Sequence, residues 1–80
     1  MKFTITVVTP TSNRTIIAAW LAFETERGSL VIQMGHRPLI ATLKPYSEIK
    51  FETEPGVVEA MDVAGGIVEI GRNFAMIVVG

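Results

Sequence analysis

The stretch FETEPGVVEAMDVAGGIVEIGRNFAMIVV (Phe51–Val79) contains three reversal signals that separate short runs rich in β-branched residues. The signals are Glu54–Gly56, Gly65–Gly66 and Gly71–Asn73. Proline presets one turn dihedral, and glycine adopts positive φ without steric cost. Runs this short, rich in valine and isoleucine and bounded by turn formers, predict strands joined by tight reversals.

The same two-residue period continues toward the N-terminus. Phe3, Ile5 and Val7 alternate with polar residues, and Ile49 and Phe51 alternate with charged ones, which is typical of half-buried strands. The segment 14–25 is apolar on both faces, so it suits a strand or a helix, and its isoleucines and aromatics favour a strand. The pattern therefore predicts an all-β domain over residues 1–80, an antiparallel β-sandwich or flattened barrel.

Composition excludes several classes of function. The 80 residues include no cysteine, which rules out disulfides and thiolate metal sites. The net charge is −1, with no basic cluster for binding nucleic acid. The longest apolar run, Ile16–Phe23, is far shorter than the roughly 20 residues of a membrane span, and no signal-peptide core precedes it. The short apolar run and the lack of a signal-peptide core predict a soluble intracellular protein. A hydrophobic content of 49% in so small a domain predicts that it has a partner.

No constellation of residues predicts catalysis. His36 is the only histidine, and no acidic residue lies between Arg27 and Glu48 to orient it or to share a metal. It is either a turn residue packed on its own loop or a contact at a protein interface, and the residues alone leave both alternatives open. The remaining carboxylates are scattered singly, and the glycines of Ala64–Gly71 lack the spacing of a phosphate-binding loop. We therefore expect no catalytic, metal or cofactor site.

Three motifs in order resemble a known family. VVTP (Val7–Pro10), FETERGSLVIQMGHRPLIATLKP (Phe23–Pro45) and VAGGIVEI (Val63–Ile70) are similar to the N-terminal β-sandwich of the epsilon subunit of F-type ATP synthases. The resemblance implies a sandwich of about ten short strands. It also implies a non-catalytic rotor subunit of a proton-translocating synthase, which couples the gamma subunit to the c-ring. The expected location is peripheral to the cytoplasmic face of a bacterial plasma membrane, without insertion into the membrane.

The resemblance also indicates which residues meet each partner. The turn before Leu30 corresponds to the part that faces the c-ring, which indicates Glu26, Arg27 and Ser29. Contacts with the gamma subunit are indicated for Thr9, His36 and Ala41. On this basis His36 is a contact residue in an interface turn.

Two departures from the family pattern bear on these expectations. Ser29 replaces an acidic residue that many relatives have, so the resemblance does not supply an ion pair from this position to the ring, and Glu26 is the alternative source of one. The sequence stops at Gly80, where typical bacterial relatives continue into a helical hairpin. If the protein ends at Gly80, we expect a short form without the C-terminal helical domain, without hairpin-based inhibition and without ATP binding. The alternative is that this sequence is a piece of a longer chain.

The alternative hypothesis is a free-standing β-sandwich adaptor that binds another partner, since fold does not determine function. Under either hypothesis, a partner surface implies apolar side chains that are partly exposed in the isolated chain. We expect this of Trp20, Leu39 and Ile40.

Overall fold

Nine strands in two sheets make up the computed structural model, which describes residues 1–80. The strands are β1 (Phe3–Val8), β2 (Asn13–Ala18), β3 (Leu21–Thr25), β4 (Gly28–Ile32), β5 (Leu39–Leu43), β6 (Ser47–Glu54), β7 (Val57–Val63), β8 (Gly66–Ile70) and β9 (Phe74–Val79). The predicted all-β sandwich is confirmed, with a strand count close to the ten that the resemblance implies. No helix has the length and apolar character needed to cross a bilayer.

One sheet has five strands in the order β2-β1-β9-β8-β5, and the other has four in the order β4-β3-β6-β7. Every pairing is antiparallel except that of β1 with β9, which is parallel. Tight turns join only antiparallel neighbours. The exception is the pair formed by the first and last strands of the chain, which no turn has to connect.

Two of the three reversal signals form hairpin turns, and the third does not. Glu54–Gly56 lies between β6 and β7, and Gly71–Asn73 lies between β8 and β9, as predicted. The sequence predicts a tight reversal at Gly65–Gly66, but the two strands that it joins, β7 and β8, do not pair with each other. The chain there passes from β7 in the four-stranded sheet to β8 in the five-stranded sheet. A Cβ atom at Gly66 would overlap the backbone oxygen of Val78, so glycine is required by the close approach of β9.

The core lies between the sheets and consists of 16 buried residues, all hydrophobic. The alternation read from the sequence is confirmed, because Phe3, Ile5, Val7, Ile49 and Phe51 all point inward. Complete burial of a side chain of this size contributes roughly 1.5–3 kcal/mol to the free energy of folding. No polar or charged side chain is buried.

The ambiguous segment 14–25 divides between two strands. β2 belongs to the five-stranded sheet and β3 to the four-stranded sheet, and the chain crosses between them at Ala19 and Trp20. Ala19 N–H donates to the carbonyl oxygen of Glu52 at 2.8 Å, and Glu52 N–H donates to that of Trp20 at 3.4 Å. These bonds tie the crossing to β6 and exclude the helical alternative.

The Glu52 side chain holds the crossing and a turn together, and its removal should be measurable. One carboxylate oxygen accepts from Trp20 Nε1 at 3.0 Å, and the other accepts from Gly56 N–H at 2.9 Å. Because hydrogen bonds to a charged acceptor are stronger than neutral ones, we expect Glu52→Ala to lower the free energy of unfolding by about 1–2 kcal/mol. Urea denaturation followed by the fluorescence of Trp20, the only tryptophan, measures this change.

Glu48→Ala is the matched control for Glu52→Ala. Glu48 lies on the same strand, and its side chain has only a 3.6 Å contact with Lys50 at the exposed surface. Exposed ion pairs contribute less than about 1 kcal/mol. Equal effects of the two substitutions would contradict the role assigned to Glu52.

Candidate protein interface

The outer face of the five-stranded sheet is almost uncharged. Its large apolar side chains come from four strands and point away from the core, and we call them the apolar face: Ile17, Ile40, Ile67, Phe74, Met76 and Val78. Ile40 is 73% exposed and Ile17 is 62% exposed. Apolar surface that lies contiguously across a sheet in this way is typical of a protein interface.

Strand register makes these side chains neighbours. Met76 faces Glu69 across the β8–β9 pair, and Val78 faces Ile67. Ile40 on β5 faces Glu69 on β8, so the apolar face extends to the edge of the sheet. Threonines fill most of the gaps, and Glu69 is the one charged side chain on this side of the sheet. Covering the face therefore requires a partner for one charge only, the Glu69 carboxylate.

The outer face of the four-stranded sheet has the opposite character. Its outward positions carry Glu24, Glu48, Lys50, Glu52 and Asp62. Covering these charges would require partners for each of them. The two outer faces thus differ in charge, and only that of the five-stranded sheet is suited to burial against another protein.

The expected exposure of three apolar residues is confirmed. Ile40 is exposed, and Trp20 and Leu39 are partly buried. The sequence analysis missed Ile67 and the outward residues of β9. The signal was present, because FAMIVV (Phe74–Val79) is apolar at every position, which is typical of a strand covered on both faces.

The residues indicated for the c-ring lie together at one turn. Glu26 and Arg27 form the two-residue connection between β3 and β4, and Ser29 follows in β4. Thr25 fixes this turn, because its hydroxyl accepts from Arg27 N–H at 3.1 Å and donates to the carbonyl oxygen of Gly28 at 3.0 Å. Neither Glu26 nor Arg27 has an ion-pair partner within the chain. Both charges are therefore free to meet another molecule.

The residues indicated for the gamma subunit do not form one cluster. Thr9 lies in the β1–β2 turn, where its N–H donates to the carbonyl oxygen of Ser12 at 2.8 Å. His36 lies at the other end of the five-stranded sheet, beside the β8–β9 turn. Ala41 lies on β5 and, with Glu26, Arg27 and Ser29, lines an open groove of about 460 Å³. Thr9 and His36 thus lie at opposite ends of the apolar face. Ala41 instead lies beside the residues indicated for the c-ring.

The loop around His36 is held by the backbone. Gly35 N–H donates to the carbonyl oxygen of Arg72 at 2.6 Å, which ties the loop to the β8–β9 turn. His36 Nδ1 lies 2.7 Å from the carbonyl oxygen of Arg37, an acceptor, so this nitrogen donates. The shallow groove beside His36 is lined by Val31, Gln33, Met34, Gly35 and His36 and contains no carboxylate. No three metal-binding side chains converge anywhere in the chain. This geometry suits a contact residue in a fixed turn.

A family of known proteins matches this chain, and the match is consistent with the sandwich fold and with the order of the three sequence motifs. Residues 2–80 match the family described as ATP synthase, Delta/Epsilon chain, beta-sandwich domain. The match extends over nearly the whole chain, including both outer faces and the His36 loop.

Two solved structures share the fold. A chain in the cryo-EM structure of the Euglena gracilis mitochondrial ATP synthase (OSCP/F1/c-ring, rotational state 1) superposes with a TM-score of 0.89 at 17% identity, covering 98% of this chain and 50% of that one. A chain in the Tetrahymena thermophila mitochondrial ATP synthase (central stalk/c-ring) gives 0.81 at 23% identity, covering 99% and 63%. The present chain thus spans between half and two thirds of the length of each.

Proposed function

The chain belongs to the family of ATP synthase delta/epsilon-chain beta-sandwich domains, and we propose from this premise that it is a non-catalytic central-stalk subunit of a rotor. In this role it joins the gamma subunit to the c-ring of a proton-translocating F-type synthase. It works as part of a membrane-bound complex, and the bacterial location implied by the sequence resemblance remains a prediction.

The apolar face is the observation that supports this proposal. A permanent partner must cover side chains as exposed as Ile40 and Ile67, which are 73% and 53% exposed. Interface cores are enriched in methionine and aromatic residues and depleted in charge, as this face is. We assign the gamma subunit to it, with Thr9 and His36 at its two ends.

The β3–β4 turn is the proposed contact with the c-ring. Glu26 and Arg27 are exposed and have no partner within the chain. Charges at the rim of an interface contribute to the rate and orientation of association more than to its affinity. The turn would therefore orient the chain relative to the c-ring. The apolar face would supply most of the free energy of binding to the gamma subunit.

A rigid body suits a subunit that transmits torque. The interior contains only close-packed apolar side chains from both sheets, and protein interiors of this density deform little under load. Coupling in this proposal depends on the shape that the sandwich presents to its neighbours.

Binding to purified gamma and c-ring tests the proposal. We expect the chain to co-elute with a gamma–c-ring complex in equal amount to gamma, and to show no ATP turnover by itself. A chain that is folded by circular dichroism but does not bind gamma would favour the adaptor hypothesis. ATP hydrolysis by the isolated chain would contradict the non-catalytic role.

A further inference from the structure

Tyr46 is the only residue other than glycine whose backbone adopts a positive φ, and its φ is 55°. A bulky L-residue is strained in this left-handed region, because its Cβ atom comes too close to the backbone carbonyl that follows. Strain of this kind persists only where the rest of the structure enforces it, and it is concentrated at positions that have a function. Tyr46 is therefore a candidate functional position.

The turn that joins β5 to β6 requires the positive φ. The Ser47 hydroxyl donates to the carbonyl oxygen of Lys44 at 2.6 Å. Tyr46 N–H donates to the carbonyl oxygen of Ala64 at 3.3 Å. Pro45 precedes Tyr46, and proline followed by a positive-φ residue is the pattern of a type II turn, which ordinarily has glycine or asparagine as the second of these two residues. Tyrosine thus serves the turn less well than glycine would.

The side chain of Tyr46 contributes almost nothing to the isolated fold. It is 89% exposed, and no other aromatic side chain is more than 38% exposed. Its hydroxyl takes part in none of the side-chain hydrogen bonds of the chain. Tyrosine is enriched among the residues that supply most of the free energy of binding at protein interfaces. A strained backbone that projects an aromatic ring into water is accounted for if a partner covers that ring.

Tyr46 lies at the same end of the sandwich as the β3–β4 turn. Lys44 N–H donates to the carbonyl oxygen of Glu24 at 2.8 Å, which ties the β5–β6 turn to the strand that leads into Glu26 and Arg27. The apolar face assigned to gamma is the outer side of the five-stranded sheet, whereas Tyr46 lies where the chain crosses from that sheet to the other. The phenol and the two turn charges therefore belong to one end surface.

We propose that Tyr46 is an anchor residue for the c-ring, inserted between two neighbouring ring subunits beside the β3–β4 turn. A ring of identical subunits presents the same gap at every subunit boundary, so one protruding side chain meets an equivalent site at each of them. The identity of the partner rests on the proposed function. The choice of Tyr46 rests on its strain, its exposure and its place at this end of the sandwich.

An inserted tyrosine supplies what the two turn charges lack. Exposed charges such as Glu26 and Arg27 set the orientation and the rate of association, and salt screens them. A covered tyrosine buries about 150–250 Å² of surface, and only two side-chain dihedrals have to be fixed when it binds. The inserted side chain also obstructs rotation of the chain relative to the c-ring. Steric obstruction of this kind suits a contact that transmits torque.

The c-ring fits this position better than a second copy of the chain does. In a symmetric pair the same end of each copy meets its counterpart, which would cover the exposed charges of Glu26, Arg27 and Lys44 on both copies. Covering charges costs their hydration. A gap that accepts the Tyr46 side chain alone leaves these charges at the rim, where they stay in water.

Binding of the gamma–chain complex to c-rings in lipid nanodiscs tests the proposal. We expect Tyr46→Gly and Tyr46→Asn to weaken binding by about 30-fold, which corresponds to about 2 kcal/mol. Tyr46→Phe keeps the aromatic ring and should change binding less than about threefold. Undiminished binding of the glycine and asparagine variants would overturn the anchor and leave the rotor function intact. Weaker binding of these variants to gamma itself would move Tyr46 to the gamma surface and overturn the proposal. Failure of the unsubstituted complex to bind would overturn both the proposal and the rotor function.

The stability of the isolated variants separates binding from folding. Glycine and asparagine adopt positive φ more readily than tyrosine, so we expect the urea midpoint, followed by Trp20 fluorescence, to be unchanged or higher in both variants. A lower midpoint in both would assign Tyr46 to the fold and contradict the anchor. Concentration-dependent association of the isolated chain that both substitutions abolish would identify a second copy as the occupant, and this too would contradict the proposal.

Discussion

Replacing Ile67 with lysine is expected to weaken binding to the gamma subunit by about 100-fold or more while the chain stays folded. Ile67 lies in the middle of the apolar face and is 53% exposed. A lysine there is hydrated in the free chain, and it must lose that hydration when gamma covers the face. Burying a lysine is costly even with the Glu69 carboxylate on the same face, because the loss of hydration can exceed the gain from pairing, and a 100-fold loss corresponds to about 2.8 kcal/mol. Titration of immobilised gamma with the variant measures the loss.

Val58→Lys is the matched control. Val58 is 51% exposed and occupies an outward position on the four-stranded sheet, opposite Glu52. The same substitution there adds the same charge to a face that already carries several. Binding to gamma should be unchanged. If both variants bind as the unsubstituted chain does, the apolar face is not the gamma surface.

Replacing Gly66 with alanine is expected to destabilise the fold by about 3 kcal/mol or more. Gly66 has a φ of +155°, and an added Cβ would overlap the backbone oxygen of Val78. A backbone atom in a central strand cannot move aside without disrupting the β8–β9 pair. Urea denaturation followed by Trp20 fluorescence should show a large fall in the midpoint.

Gly65→Ala separates steric overlap from backbone strain. Gly65 has nearly the same φ, +158°, but nothing lies within 4 Å of an added Cβ. Its substitution should cost only the strain of the left-handed region, about 1–2 kcal/mol. Equal losses of stability for the two variants would show that the contact with β9 is not what requires glycine at position 66.

Much of the fold was predictable because alternation in the sequence reports directly on burial. The inward positions of β1 and β6 were identified from polar neighbours that alternate with Phe3, Ile5, Ile49 and Phe51. The destination of the chain after Gly65–Gly66 was not predictable, because turn chemistry indicates that the chain changes direction and not which sheet it enters next. That choice depends on the long-range pairing of β8 with β5 and β9.

The candidate interface was only partly predictable. Glu26, Arg27 and Ser29 are close in sequence, so a single turn brings them together. Thr9 and His36 lie at opposite ends of the five-stranded sheet, and no local pattern in the sequence reveals that both border the apolar face. In β9, which is apolar at every position, the pattern cannot distinguish side chains that face the core from those that face a partner.

ATP synthesis by liposomes that contain a synthase depleted of this subunit tests the central claim most directly. Under an imposed proton gradient, adding the unsubstituted chain should restore synthesis, and Val58→Lys should restore it equally well. Ile67→Lys should fail at concentrations near that of the enzyme. Synthesis that proceeds equally well without the chain would contradict its assignment as a coupling subunit of the rotor.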